Sequence, residues 1–193
     1  MKTPAELLRT EIEEHGRTLD LLWPAVHEPF TRLMQASLDS IRAGNKLILF
    51  GNGGSAADAQ HIATELTVRY RRNRPAITAI ALTTDTSTLT AIGNDLGFEH
   101  LFSRQVEAIA RPGDIALGIT TSGNSQNVVN GLTAAATRKC VTACLSGNDG
   151  GKVRALCTIP IVVPSAVTAR IQEMHILLGH ALCEGLEAAY ANS

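Results

Sequence analysis

The chain has 193 residues, 45% of them apolar and 18% charged, with a formal net charge of −1. That length suits one ordinary domain burying about two-thirds of the surface of its unfolded chain. Near-neutral charge argues against nucleic acid as a partner, because backbone-phosphate binders carry a basic excess. No apolar run reaches the ~20 residues of a membrane helix.

Met1-Lys2-Thr3-Pro4 leads into a charged amphipathic segment rather than a secretory signal. A first helix is expected over about 4–22, with Leu7, Leu8, Ile12 and Leu19 on its apolar side and Trp23-Pro24 ending it. Trp23 reads as a packing anchor. A second helix is expected over about 29–43, carrying Phe30, Leu33, Met34, Leu38 and Ile41, and stopped by Gly44-Asn45. Both precede the first strand, so they pack on the flank of a sheet or on another copy of the chain. From Lys46 onward short apolar runs alternate with helical patterns. Strands are expected at Lys46–Phe50, Ala76–Leu82, Asp114–Ile119, Cys140–Leu145 and Thr158–Val163. Helices are expected near 55–70, 87–93 with 100–110, 124–137, 150–155 and 166–190. The alternation predicts a three-layer α/β/α sandwich around a five-stranded parallel sheet. One domain then spans 1–193, with 1–44 as packing helices and 45–193 as the α/β core.

Ligands of such sheets sit beyond the carboxyl ends of the strands, where strand order reverses. The first such loop is Gly51-Asn52-Gly53-Gly54-Ser55. Its glycines allow a tight turn and close approach of backbone N–H groups to an anion. Ser55, with Asp58 three residues on, resembles a capping box at a helix start, where the helix dipole favours phosphate. Thr83-Thr84-Asp85-Thr86-Ser87 and Thr120-Thr121-Ser122-Gly123-Asn124-Ser125 are equally rich in hydroxyls, and none of the three loops holds Lys or Arg. Gly51-x-Gly53-x-x-Ala56 formally meets the dinucleotide fingerprint, but the acidic residue due about 20 positions on is missing. No lysine follows the glycines as a P-loop requires. A monophosphate held by amides and hydroxyls remains. One turn along, His61 and Glu65 share a helix face.

Gly51-Asn52-Gly53-Gly54-Ser55 together with Thr120-Thr121-Ser122-Gly123-Asn124-Ser125 resembles the sugar isomerase (SIS) domain family. Asp58-Ala59-Gln60-His61, Glu65 to Tyr70, Gly93 to Phe98 and Ala169 to His175 are similar to its phosphoheptose isomerase branch. The resemblance covers nearly the whole chain. It implies the flavodoxin-like SIS fold and conversion of sedoheptulose 7-phosphate to D-glycero-D-manno-heptose 7-phosphate, an early step towards the heptose of lipopolysaccharide. It also implies a homotetramer and one zinc ion per subunit, held by His61, Glu65, Gln172 and His180. Asn52, Gly53, Gly54, Ser55, Glu65, Asn94, Asp95, Thr120, Thr121, Ser122, Ser125 and Gln172 are implied to contact substrate. Some relatives carry an acid where this chain has Ala169, so no role for that acid transfers.

Aldose–ketose isomerisation needs a carbon base, a group that shuttles hydroxyl protons, and stabilisation of an oxyanion. Glu65 is the expected base and His180 the second acid/base. Zinc accepts nitrogen and oxygen ligands of this kind and polarises substrate oxygens. Gln172 and His180 lie eight residues apart, so a straight helix separates them by ~12 Å along its axis. Either the helix bends near Gly179 or the two residues serve one site from different subunits, and the second is expected. His175 is expected in a structural role, and Glu173 and Glu184 as ordinary helix carboxylates. Two rival readings are a non-catalytic SIS module of the replication-initiator-binding type and an isomerase of another phosphosugar. Cys140, Cys144, Cys157 and Cys183 lack zinc spacing and read as free thiols of a cytoplasmic protein.

Overall fold

A computed structural model describes residues 2–190. Met1 and residues 191–193, the ends of the domain expected over 1–193, lie outside the described residues. The sheet is β1 (Leu47–Gly51), β2 (Ala79–Ala81), β3 (Ile115–Thr120), β4 (Val141–Ser146) and β5 (Ile159–Val162). All pairs are parallel and the order is β2-β1-β3-β4-β5. The helices are α1 (Pro4–Arg42), α2 (Gly54–Thr67), α3 (Thr86–Asp95), α4 (Ser103–Ile109), α5 (Gln126–Thr137), α6 (Gly151–Leu156) and α7 (Thr168–Tyr190), with a 3-10 turn at Phe98–His100.

Each strand divides its side chains between two cores. Leu47 and Leu49 of β1, with Leu117, Ile119 and Leu145, pack under α1, α2 and α7. Ile48 and Phe50, with Ala116 and Cys144, pack under α4, α5 and α6. Coverage of both faces is why these strands are continuous apolar runs rather than alternating ones. β1 leads through α2 to β2 on one side, whereas the next crossover returns past β1 to β3. The order therefore reverses between β1 and β3.

Two elements differ from expectation. The two leading helices are one unbroken 39-residue helix, with Pro24 and Pro29 inside it. Each proline removes one N–H and costs ~3 kcal/mol. Burial of Leu22, Val26, Leu33 and Ile41 against the core offsets that cost at ~1.5–3 kcal/mol per side chain. Thr3 and Glu6 form the capping box that starts α1. Buried Arg170 ties α1 to α7, bonding the Glu11 carbonyl and reaching the Glu11 and Glu173 carboxylates at 3.0 and 2.7 Å. Trp23, the expected anchor, is 74% exposed and stacks on His27 instead, because it lies on the outward face of α1. β2 is shorter than Ala76–Leu82, since the Ile77 N–H donates to the Leu66 carbonyl at the end of α2.

Candidate active site

The β1–α2 loop and the β3–α5 loop meet at the point where strand order reverses, Gly51 lying beside Ile119 in the register. A Cβ on Gly51 would stand 2.6 Å from the Ile119 carbonyl and 2.8 Å from Ser55 Cβ, so only glycine allows this approach. α2 begins earlier than a Ser55 cap would place it. Its N-cap is Gly53, at φ 54°, which leaves Ser55 inside the first turn and buried. The expected Ser55–Asp58 capping box is therefore not formed. Burial pushes the Asp58 carboxyl above the usual range, opposed by His61.

Asn52 and Asn127 exchange two amide hydrogen bonds of 2.8 Å, coupling the first loop to the first turn of α5. Thr120 Oγ1 and Ser125 Oγ lie 3.1 Å apart, and Ser125 is the N-cap of α5 without using its side chain as a cap. Ser122 Oγ accepts from the Asn124 N–H, and the Thr121 carbonyl accepts from Gly147 and Asn148 of the β4–α6 loop. Two helix N-termini and a group of hydroxyls are thus brought to one edge of the sheet, on two loops that hold no Lys or Arg. Such a place attracts a phosphate.

Further along α2, His61 Nε2 lies 3.4 Å from Glu65 Oε1 and 3.0 Å from His180 Nε2 of α7. The Tyr70 ring packs against His180, tilted by 32° with ring centroids 5.5 Å apart. Two imidazole nitrogens at this separation require one to present its proton and the other its lone pair, or a shared cation.

A family model described as SIS domain matches residues 12–147. The chain belongs to the SIS domain family. Within it, the phosphoheptose isomerase of Paramagnetospirillum magneticum is 58% identical over 187 residues, covering 97% of both chains. The solved phosphoheptose isomerase of Neisseria gonorrhoeae superposes with a TM-score of 0.91 at 43% identity, over 96% of this chain and 100% of that one. That of Francisella tularensis gives 0.93 at 32%, over 97% and 100%.

Not all residues expected from the SIS resemblance converge in one chain. Gln172 lies over the glycine loop, a Cβ on Gly54 falling 2.3 Å from its Nε2. His180 lies instead against His61, and α7 runs unbroken through Gly179. α7 therefore passes alongside α2 and addresses it at two points. Asn94 and Asp95 end α3, exposed and bonded to each other rather than to either loop. Asp85 is spent on capping α3 through Thr88, and Thr83 on bonding Gln60. His175 is fully buried, with Nε2 3.2 Å from the Ser146 carbonyl, and burial pushes its pKa down to about 4. Arg71 and Arg72 share the Glu184 carboxylate, at 3.6 and 2.8 Å. Asn127 and Glu187 escaped the sequence reading. Asn127 sits two residues after Ser125, in the turn that would face an anion, and that was its only signal.

Proposed function

We propose that this chain isomerises sedoheptulose 7-phosphate to D-glycero-D-manno-heptose 7-phosphate. One observation carries the reading: α2 holds an uncharged anion grip at its first turn and, further along, His61 and Glu65, which His180 of α7 joins. The phosphate is held by the N–H groups opening α2 at Gly53–Ser55 and those opening α5, with hydroxyls from Ser55, Thr120, Thr121, Ser122 and Ser125. Helix N-termini supply partial positive charge without a lysine. Asn52, fixed by Asn127, bonds a sugar hydroxyl, and the exposed Asn94–Asp95 pair would have to reach the sugar from another copy of the chain. Glu65 takes the proton from the carbon beside the carbonyl and returns it to the former carbonyl carbon, while His180 moves a hydroxyl proton between the two oxygens.

The donor types of His61, Glu65 and His180 suit zinc, and His61 Nε2 lies 3.0 Å from His180 Nε2 and 3.4 Å from Glu65 Oε1. Among the described residues, however, no group of three His, Cys, Asp or Glu is placed to hold a metal ion. Gln172 would complete the set. Bound there, the ion would act as a Lewis acid on the substrate's oxygens.

Because Gln172 and His180 of one chain address points ~12 Å apart, we assign the two groups of one site to different copies in a homotetramer. The exposed apolar residues Leu7, Leu8, Ile12, Leu21 and Trp23 of α1 offer a surface for that assembly. Among the described residues no helix is long and apolar enough to cross a membrane. The four cysteines are free, which suits a cytoplasmic setting.

The deciding experiment follows aldose formation from sedoheptulose 7-phosphate. Glu65→Gln and His180→Gln should each lower kcat by about 10²–10⁴-fold with unchanged melting. Full turnover by Glu65→Gln would refute the proton transfer. Chelator-treated protein should rebind zinc, measured directly, and His61→Ala should not.

A further inference from the structure

Behind the imidazole cluster lies a buried ion pair that the reaction does not itself use. Arg74 and Glu187 have fully buried side chains, with Arg74 Nε 3.3 Å from Glu187 Oε2. Glu187 follows His180 by seven residues on α7, hence on the same helix face. Its carboxylate accepts from the N–H groups of Tyr70, Arg71 and Arg72 at 2.8, 2.7 and 2.7 Å. The Arg74 guanidinium donates to the carbonyls of Glu65 and Leu66, at 2.8 and 2.7 Å, in the last turn of α2. One ion pair therefore touches the helix end bearing Glu65, the turn bearing Tyr70, and the helix bearing His180.

We propose that the Arg74–Glu187 pair is a positioning clamp that sets His180 and Tyr70 against His61 and Glu65. The inference rests on the isomerase reading above. Stability alone is a weak reason for such a pair, because well-packed apolar replacements of buried ion pairs are often neutral or better. Geometry is a stronger one. Every hydrogen bond of the Glu187 carboxylate ends on the turn that presents the Tyr70 ring to His180. Burial pushes that carboxyl up, but the three N–H donors and Arg74 outweigh it and hold it below the usual glutamate range, so it stays anionic. A glutamine here would set its NH2 either against the Tyr70 N–H that now points at Oε2 or against the Arg71 and Arg72 N–H groups that point at Oε1.

The test compares Glu187→Gln with the double variant Arg74→Met/Glu187→Met. It reads kcat and KM for sedoheptulose 7-phosphate, binding of inorganic phosphate, melting, and amide hydrogen exchange at residues 70–72. Glu187→Gln should lower kcat by about 10- to 100-fold. KM and phosphate affinity should stay within about threefold, since the anion grip is remote. Exchange at 70–72 should quicken by about tenfold or more. The double variant should recover melting while kcat stays low and exchange stays fast. Recovery of kcat together with melting would overturn the clamp and leave a merely stabilising pair. Should the wild type fail to turn over the sugar phosphate, the functional reading falls. Exchange then decides the clamp, and unchanged protection in Glu187→Gln overturns it.

Discussion

Gly54→Ala separates the ligand-binding use of the glycine loop from its structural use. Gly54 is the first residue of α2 and does not have a positive φ, so alanine meets no backbone strain there. Helix propensity favours alanine over glycine by up to ~1 kcal/mol. The added methyl group meets only the tip of Gln172, at 2.3 Å from Nε2 where ordinary contact begins near 3.4 Å. The amide must retreat by about 1 Å, and displacement of that order from a reacting substrate costs up to ~10²-fold in rate. The variant should therefore melt at or slightly above the wild-type temperature while kcat/KM for sedoheptulose 7-phosphate falls by about 10- to 100-fold. Calorimetric melting and a coupled assay of the aldose product measure both. Wild-type kinetics in a stably folded variant would show that Gln172 has no business with the substrate. A drop in melting temperature would show that the packing argument is wrong.

Other perturbations test other parts of the site. Gly123→Ala should destabilise strongly, because Gly123 has φ 67° and a Cβ would meet the Gly150 carbonyl at 2.1 Å; a urea titration reads the loss. Asn127→Asp removes one bond of the Asn52 pair and places a negative charge beside the anion grip, so KM for the phosphosugar should rise more than kcat falls. Burial lowers the pKa of His175 from 6.5 to about 4, so the unfolded chain binds this proton more readily than the folded one. The stability it contributes is complete above pH 6.5 and drains away as pH falls towards 4. Urea midpoints at pH 7 and 5 should reveal a slope worth about 2 kcal/mol that His175→Gln lacks.

Local chemistry made much of this protein legible before its fold was known. The apolar runs, the glycine turn after Phe50 and the Thr120–Ser125 hydroxyls all report on neighbours in the chain, and each lies where the pattern puts it. His61 and Glu65 are one turn apart on a helix, so their meeting needs no tertiary information. Helix continuity through Pro24 was different, because the penalty is local while the compensation comes from Leu22, Val26 and Leu33 packing on distant elements. The Asn52–Asn127 and Arg74–Glu187 pairs are separated by 75 and 113 residues. No periodicity marks a hydrogen bond between residues so far apart. Residue types and helical spacing are properties of the chain, and they sufficed to place the glycine loop and the His–Glu motif. Which side of α2 meets α7, and so why His180 lies on His61 while Gln172 lies over Gly54, depends on two helices sharing one core, and only the folded molecule decides that.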